Sequence, residues 1–237
     1  DILIIPSPEE FSPQLVMCNG MVIFKDGKTM VEPKKIFFPD YMFNTVKVQD
    51  YAFPTLPNKG KVRVIELVTR LVTKERIIDL EDTEESKDLI MALVLDRLGS
   101  GRAFLGLLKG YGLQRGAYGS TMCWDITGMI IVGCDTQSMR TVIGRLKEIG
   151  GGGAYAIGDE VVAEFPAPLF GIVSLKPMER VREEIKKLED SLRENGVKWE
   201  KPMLTIDTLG TPAIPHLRIT HNGYVRLKDR KILLLAV

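Results

Sequence analysis

From Gly106 to Gly133 the chain reads GLLKGYGLQRGAYGSTMCWDITGMIIVG. Glycines punctuate this run. It carries one lysine, Lys109, and one arginine, Arg115, and it passes through Trp124-Asp125 into the apolar stretch Met129–Val132. Glycine at this density suits turns and close backbone approaches and weakens helices. The centre of the chain is therefore expected to turn and then enter a buried strand. It is not a phosphate cradle, because the glycine spacing is wrong and Lys109 is followed by neither Ser nor Thr.

On the N-terminal side, Asp1–Val31 reads as short strands. Ile2–Ile5 is an apolar run closed by Pro6, and residue 1 is Asp, so the sequence opens inside a strand-like run as a processed or cut chain would. Leu15–Met17 and Met21–Phe24 flank Asn19-Gly20, a dipeptide that favours a two-residue hairpin, and Asp26-Gly27 marks a second turn. Pro33–Gly60, with Pro39, Pro54 and Pro57, reads as an irregular connector. Lys61–Thr73 is dense in β-branched residues and reads as one or two strands. Asp79–Ser86 is acidic and exposed. Leu89–Leu95 is an unbroken apolar run, and periodicity alone leaves strand and helix open there.

On the C-terminal side, spacing predicts a helix over Thr136–Ile149. Met139, Val142, Ile143, Leu146 and Ile149 share a face, with Asp135 as N-cap and Gly150 as stop. A second helix is expected over Pro177–Asn195. Pro177 stands in its first turn, Met178, Val181, Ile185, Leu188 and Leu192 form the core stripe, and Gly196 ends it. Between them Ala154–Ile157 and Val161–Phe165 form a hairpin about Gly158-Asp159. Further strands lie near Leu217–Thr220 and Ile232–Val237.

A chain of 237 residues, 45% hydrophobic and 27% charged, fits one large or two small globular domains. A net charge of +1 gives no reason to expect nucleic acid or an acidic surface as partner. Three cysteines, Cys18, Cys123 and Cys134, lack metal-ligand spacing and read as reduced thiols of a cytoplasmic protein. Neither a secretory leader nor an apolar run of membrane-spanning length is read in the chain.

Catalytic signals are sparse. The two histidines, His216 and His221, stand beside Pro215 and Asn222-Gly223, which place both in turns. A metal site built from them and a remote acid is the weaker alternative to a chain with no metal ligands, since neither a His-x-His pair nor a His-Glu-x-x-His helix occurs. No histidine lies near Cys123 or Ser120 in sequence to activate them as nucleophiles. Gly150–Gly153 reads either as a helix exit packed tightly on a sheet or as an anion-binding nest, and nests favour helix starts.

Several segments, in order, resemble the C-terminal domain of adenine deaminases of the amidohydrolase superfamily. They are the run from Gly106 to Ala117, the glycines 150–153, Phe165-Pro166-Ala167-Pro168-Leu169-Phe170-Gly171, Pro202-Met203-Leu204-Thr205, and Pro212 to Thr220. The opening D-I-L-I-I … V-M-C-N-G-M-V-I-F-K-D-G-K also resembles the closing strands of the small β-sandwich that follows the barrel in amidohydrolases, although any hairpin fits that pattern. Asn44-Thr45-Val46-Lys47 is similar to the family too. One segment departs. Where the family reads V-A-H-D-S-H-N, this chain has Met122-Cys123-Trp124-Asp125-Ile126-Thr127-Gly128: the acid is kept, and both histidines are replaced, by Trp124 and Thr127.

The resemblance implies an α+β chain. Residues 1–50 would hold the end of the composite β-sandwich and a connector, and residues 51–237 an α/β domain with a mixed sheet and at least two helices; it also makes Leu89–Leu95 a strand. It implies conversion of adenine and water to hypoxanthine and ammonia. The water would be activated by a divalent metal, Mn or Fe, on a catalytic barrel that this chain lacks. The chain itself would supply no catalytic or metal-binding residue. Asp125, Trp124, Thr127, Lys109 and Arg115 are the candidates for substrate or lid contacts, and for Trp124-Asp125 the alternative is a packed indole beside a turn-capping carboxylate. The implied partners are a purine, the missing barrel and a second subunit in a homodimer, without nucleic acid or membrane. The alternatives are a related hydrolase of another cyclic amide or amidine, which the altered segment motivates, and a non-catalytic ligand-binding or oligomerisation module.

Overall fold

The fold is described by a computed structural model for residues 1–32, 34, 36–49 and 53–237. Two compact units divide it, Asp1–Pro39 and Asp40–Val237. The division expected between residues 50 and 51 falls on positions outside the described residues.

In the first unit β1 (Ile2–Ile4), β2 (Leu15–Cys18), β3 (Met21–Lys25) and β4 (Lys28–Thr29) form a four-stranded antiparallel meander. Both expected turns are where the sequence puts them. Asn19-Gly20 joins β2 to β3 and Asp26-Gly27 joins β3 to β4.

The second unit is built on an eight-stranded sheet. Its strands in chain order are β5 (Lys61–Leu67), β6 (Thr73–Asp79), β7 (Leu89–Asp96), β8 (Ala103–Lys109), β9 (Ala117–Ser120), β10 (Gly128–Gly133), β11 (Gly152–Ile157) and β12 (Glu160–Pro166). In space they run β12-β11-β9-β10-β7-β8-β5-β6. Every neighbouring pair is antiparallel except β5 and β8, which run parallel, so the sheet is mixed and the fold is α+β. Helix α1 (Thr136–Glu148) covers one face. The other face carries α2 (Met178–Glu194), α3 (Pro202–Asp207) and strands β13 (Leu217–Thr220) and β14 (Gly223–Arg226) of a small sheet completed by β15 (Lys231–Leu233).

Both faces are thus buried, and this explains the unbroken apolar runs. In β10, Met129 and Ile131 pack with Met139, Val142 and Leu146 of α1. Ile130 and Val132 point the other way, into the cluster with Leu188, Leu192, Met203 and Ile219. The same alternation splits Leu89–Leu95, which is strand, as the resemblance implied. Asp135 caps α1 by accepting the Ser138 N–H at 2.7 Å. Two details of α2 differ from expectation. Pro177 is its N-cap residue rather than a member of the first turn, and Met178 is exposed, while Val181 and Ile185 are half-buried against the core and Leu188 and Leu192 fully buried in it.

Tyr224 of β14 braces the parallel seam of the sheet, where β5 and β8 pair through Ile65–Leu108 and Glu66–Lys109. Its hydroxyl accepts the Leu107 N–H at 2.6 Å and donates to the Arg63 carbonyl at 3.0 Å, bridging β8 and β5. Gly106 makes room for it. A Cβ there would stand 2.5 Å from the tyrosine oxygen, well inside contact distance. Among the described residues no helix is long and apolar enough to cross a membrane.

Candidate functional site

One end of the large sheet gathers the residues with chemical potential. There β7 ends at Asp96, β10 begins at Gly128 opposite it, and four connections meet: residues 97–102, 121–127, 167–176 and the turn at 221–222. Asp96 is the organising acid. Its carboxylate accepts the Thr127 hydroxyl at 2.8 Å, the Leu98 N–H at 3.3 Å and the Ser100 N–H at 3.1 Å. Burial works against its charge, but the hydrogen bonds from Ser100, Thr127 and the backbone outweigh that and hold its pKa at about 2. It is an anion at any physiological pH, and it closes the β7–β8 loop.

Arg97 points to the other side of the sheet end and is only 9% exposed. Its Nη1 donates to the Phe170 carbonyl at 2.9 Å, its N–H donates to the Thr127 carbonyl at 2.9 Å, and its own carbonyl accepts the Lys47 N–H at 2.7 Å. Burial lowers its pKa, opposed by the neighbouring Cys123 and Asp96. One side chain and its backbone thereby tie three loops together. Thr121 adds a fourth tie: its hydroxyl donates to the Gly171 carbonyl at 2.5 Å and accepts the Gly152 N–H at 2.7 Å. The glycine run ending α1 serves this junction. Gly151 has φ +113°, and a Cβ on it would lie 2.5 Å from the Gly171 Cα and 2.8 Å from the Thr121 hydroxyl. Gly150–Gly153 is therefore a tightly packed helix exit.

Of the sequence candidates, Trp124, Asp125 and Thr127 come together here. Trp124 and Asp125 are exposed at the crest of the 121–127 loop. Asp125 makes no hydrogen bond among the described residues, so it caps no turn; that task falls to Asp96. Lys109 and Arg115 lie at the opposite end of the sheet. Lys109 pairs with Leu89, at the far end of β7 from Asp96, and Arg115 precedes Ala117, which pairs with Gly133. The Lys109 ammonium is spent on the Glu85 and Lys87 carbonyls at 2.7 and 2.5 Å. Arg115 is exposed, and its carbonyl accepts the Tyr155 hydroxyl at 2.9 Å. The motif separates because it threads up β8, back along β9 and out again along β10.

Three residues not singled out in the sequence belong to this end: Asp96, Arg97 and Asp207. Asp207 closes α3 beneath the 121–127 loop and is buried. It accepts the Tyr118 hydroxyl at 3.3 Å. Burial raises its pKa to about 7 against the lowering effect of bonds with Ser120 and Tyr118. Cys123 is buried as well, and burial together with Asp207 pushes its thiol well up, so it is no nucleophile at neutral pH. For Asp96-Arg97 a sequence signal exists, a charged pair ending an apolar run before a Gly-Ser-Gly loop. For Asp207 there is none.

His216 and His221 stand at opposite ends of β13 and share no site. His221 lies near Asp96 and Arg102, and burial lowers its pKa. Among the described residues no group of three or more His, Cys, Asp or Glu side chains could hold a metal ion. The described residues therefore do not fit the metal that the resemblance implies. What they offer is an exposed indole and an exposed carboxylate on a loop pinned from below. That arrangement can bind and orient a polar, planar partner, and it contains no paired base and nucleophile.

Residues 66–231 match the model of the adenine deaminase C-terminal domain. The chain is 31% identical over 237 residues to an adenine deaminase of Desulfatibacillum aliphaticivorans, covering 95% of this chain and 41% of that protein. It is 32% identical over 245 residues to one of Cereibacter sphaeroides, covering 98% of this chain and 42% of that protein, and 30% identical over 240 residues to one of Clostridium botulinum, covering 95% and 40%. The chain thus spans about two fifths of the length of the curated relatives it matches. On its motifs, its fold and these similarities together, the chain belongs to the adenine deaminase C-terminal domain family.

Proposed function

We propose that this chain serves as the C-terminal part of an adenine deaminase-family hydrolase that converts adenine and water to hypoxanthine and ammonia. The observation that carries the reading is the length relation. Nearly all of this chain aligns with proteins named adenine deaminases, yet it spans only about two fifths of them. The divalent metal of such a hydrolase, Mn or Fe, would be held by residues outside this chain. Residues 1–50 would close the β-sandwich and residues 51–237 would form the appended domain. The role of this part is to cap the mouth of the catalytic barrel, where such sites open, and to support a cytoplasmic homodimer. Asp125, Trp124 and Thr127 are the residues proposed to face that mouth, with Thr127 acting through its bond to Asp96. Lys109 and Arg115, at the far end of the sheet, are assigned to the structure of the domain.

The test is direct. The full-length polypeptide carrying this chain, supplied with Mn or Fe, should release ammonia from adenine, and the 237-residue chain alone should release none. Ammonia release by the chain alone, or none by the metal-loaded full-length protein, removes the reading. One observation favours a second substrate. The segment at Trp124–Thr127 lacks both flanking histidines of the family pattern, so a full-length protein inactive on adenine but active on another cyclic amide or amidine would identify a related hydrolase.

A further inference from the structure

We infer that the end of the sheet around Arg97 is a preformed docking face for the upstream, catalytic part of the same polypeptide. The inference rests on the proposal that such a part precedes this domain, and it names the surface and the residue that shapes it.

Six large apolar side chains stand exposed on Arg97's own loop and on the 121–127 and 167–176 loops it bonds. Leu98 is 55% exposed, Trp124 57%, Phe170 42%, Ile172 37%, Val173 46% and Leu175 50%. Scattered exposed apolar residues are ordinary; several on adjoining loops mark an interaction surface. The loops that carry them are pinned. The Arg97 guanidinium holds the Phe170 carbonyl, its N–H holds the Thr127 carbonyl, and Thr121 ties the 121–127 loop to Gly171. Phe170 itself adopts φ +54° and donates its N–H to the Met42 carbonyl at 2.7 Å. A non-glycine residue held in the left-handed region costs energy that the surrounding bonds must offset. The chain thus spends a buried arginine, a buried threonine and a strained backbone on fixing loops whose tips are apolar and face outward. Fixed in advance, they lower the ordering cost of association.

The occupant follows from length. The curated relatives continue for well over half of their length beyond the part this chain matches, and the matched part is their C-terminal domain. A face on this domain therefore has a large partner within the same polypeptide, held at high effective concentration. The exposed Asp125 beside Trp124 supplies one carboxylate to that contact.

Arg97 is a positioning residue here: it touches the loops, not a substrate. Removal of its guanidinium could unfold the domain, so the test reads the wild-type surface. Hydroxyl-radical labelling, resolved by mass spectrometry, compares the 237-residue chain with the full-length polypeptide. Trp124 and Phe170 should label several-fold more slowly in the full-length protein, and Trp199, at the opposite end of the sheet, should label equally in both. Equal labelling of Trp124 in the two overturns the inference. So does protection of Trp124 in the 237-residue chain that grows with its concentration, which would make the occupant a second copy. Adenine turnover measured on the same full-length sample keeps the two proposals apart. A protected face without turnover overturns the substrate reading alone, and turnover with an unprotected face overturns the docking face alone.

Discussion

Asp207→Asn should stabilise the protein at neutral pH and leave it nearly unchanged in acid. The carboxyl is buried against Tyr118, Ser120 and Cys123, with no cation bonded to it. Burial raises its pKa from 3.8 to about 7. Between those values the folded chain keeps a proton that the unfolded chain gives up. The group's contribution is therefore fully present below about pH 4 and is lost as pH rises through 7. A tenfold change in proton affinity corresponds to about 1.4 kcal/mol, so the whole window amounts to at most roughly 4 kcal/mol. Asparagine resembles the neutral acid in shape. It still accepts from Tyr118 and can donate to Ser120, and it cannot ionise. Urea unfolding followed by circular dichroism, on both proteins from pH 4 to pH 8, measures the difference. That difference should grow with pH in favour of the variant and level off above about pH 7. Asp96 does not confuse the reading, because its lowered pKa places its own stability change below pH 4, where protonation removes it. A difference that stays flat with pH, or a variant less stable at pH 8, would refute the reasoning.

Two further substitutions probe the same end of the sheet. Thr127→Val removes the hydroxyl that donates to Asp96; it should cost about 1.5–3 kcal/mol, as for a hydrogen bond to a charged group, and raise the pH of acid unfolding in a melting series. Gly151→Ala sets a Cβ 2.5 Å from the Gly171 Cα at a φ of +113° and should cost at least about 2 kcal/mol. An unchanged melting temperature would show that the junction with Gly171 yields.

How much of this was legible in the sequence depended on the range of the interactions involved. Helix α1 declared itself through a stripe, a cap and a glycine stop that lie within one short segment. The Asn19-Gly20 hairpin did the same through two residues. Strand β8 carries no clear sequence signal, because Gly106 interrupts it and the reason for that glycine is the hydroxyl of Tyr224, more than a hundred residues away. Helix α3 is silent in the sequence because six residues show no period, and Asp207 is hidden with it. At the site, Trp124, Asp125 and Thr127 were found through one departure from a family pattern. Asp96 and Arg97, which hold that segment, looked like an ordinary charged pair after an apolar run. Lys109 and Arg115 joined the candidates by nearness in sequence, and the turn between β8 and β9 carries that stretch to the opposite end of the sheet.

Asp125 offers the most direct test of whether the 121–127 loop serves the chemistry of the full-length enzyme. The carboxylate is exposed and makes no hydrogen bond among the described residues of this chain, so its loss should leave folding untouched. Steady-state turnover of adenine and a thermal melt are measured on the same preparation of full-length Asp125→Ala. Loss of a charge-assisted hydrogen bond to substrate or to the barrel predicts a fall in turnover of roughly 5- to 150-fold, about 1–3 kcal/mol in the barrier, with the melting temperature unchanged. Full turnover in the variant would contradict this role and remove this end of the domain from the active site.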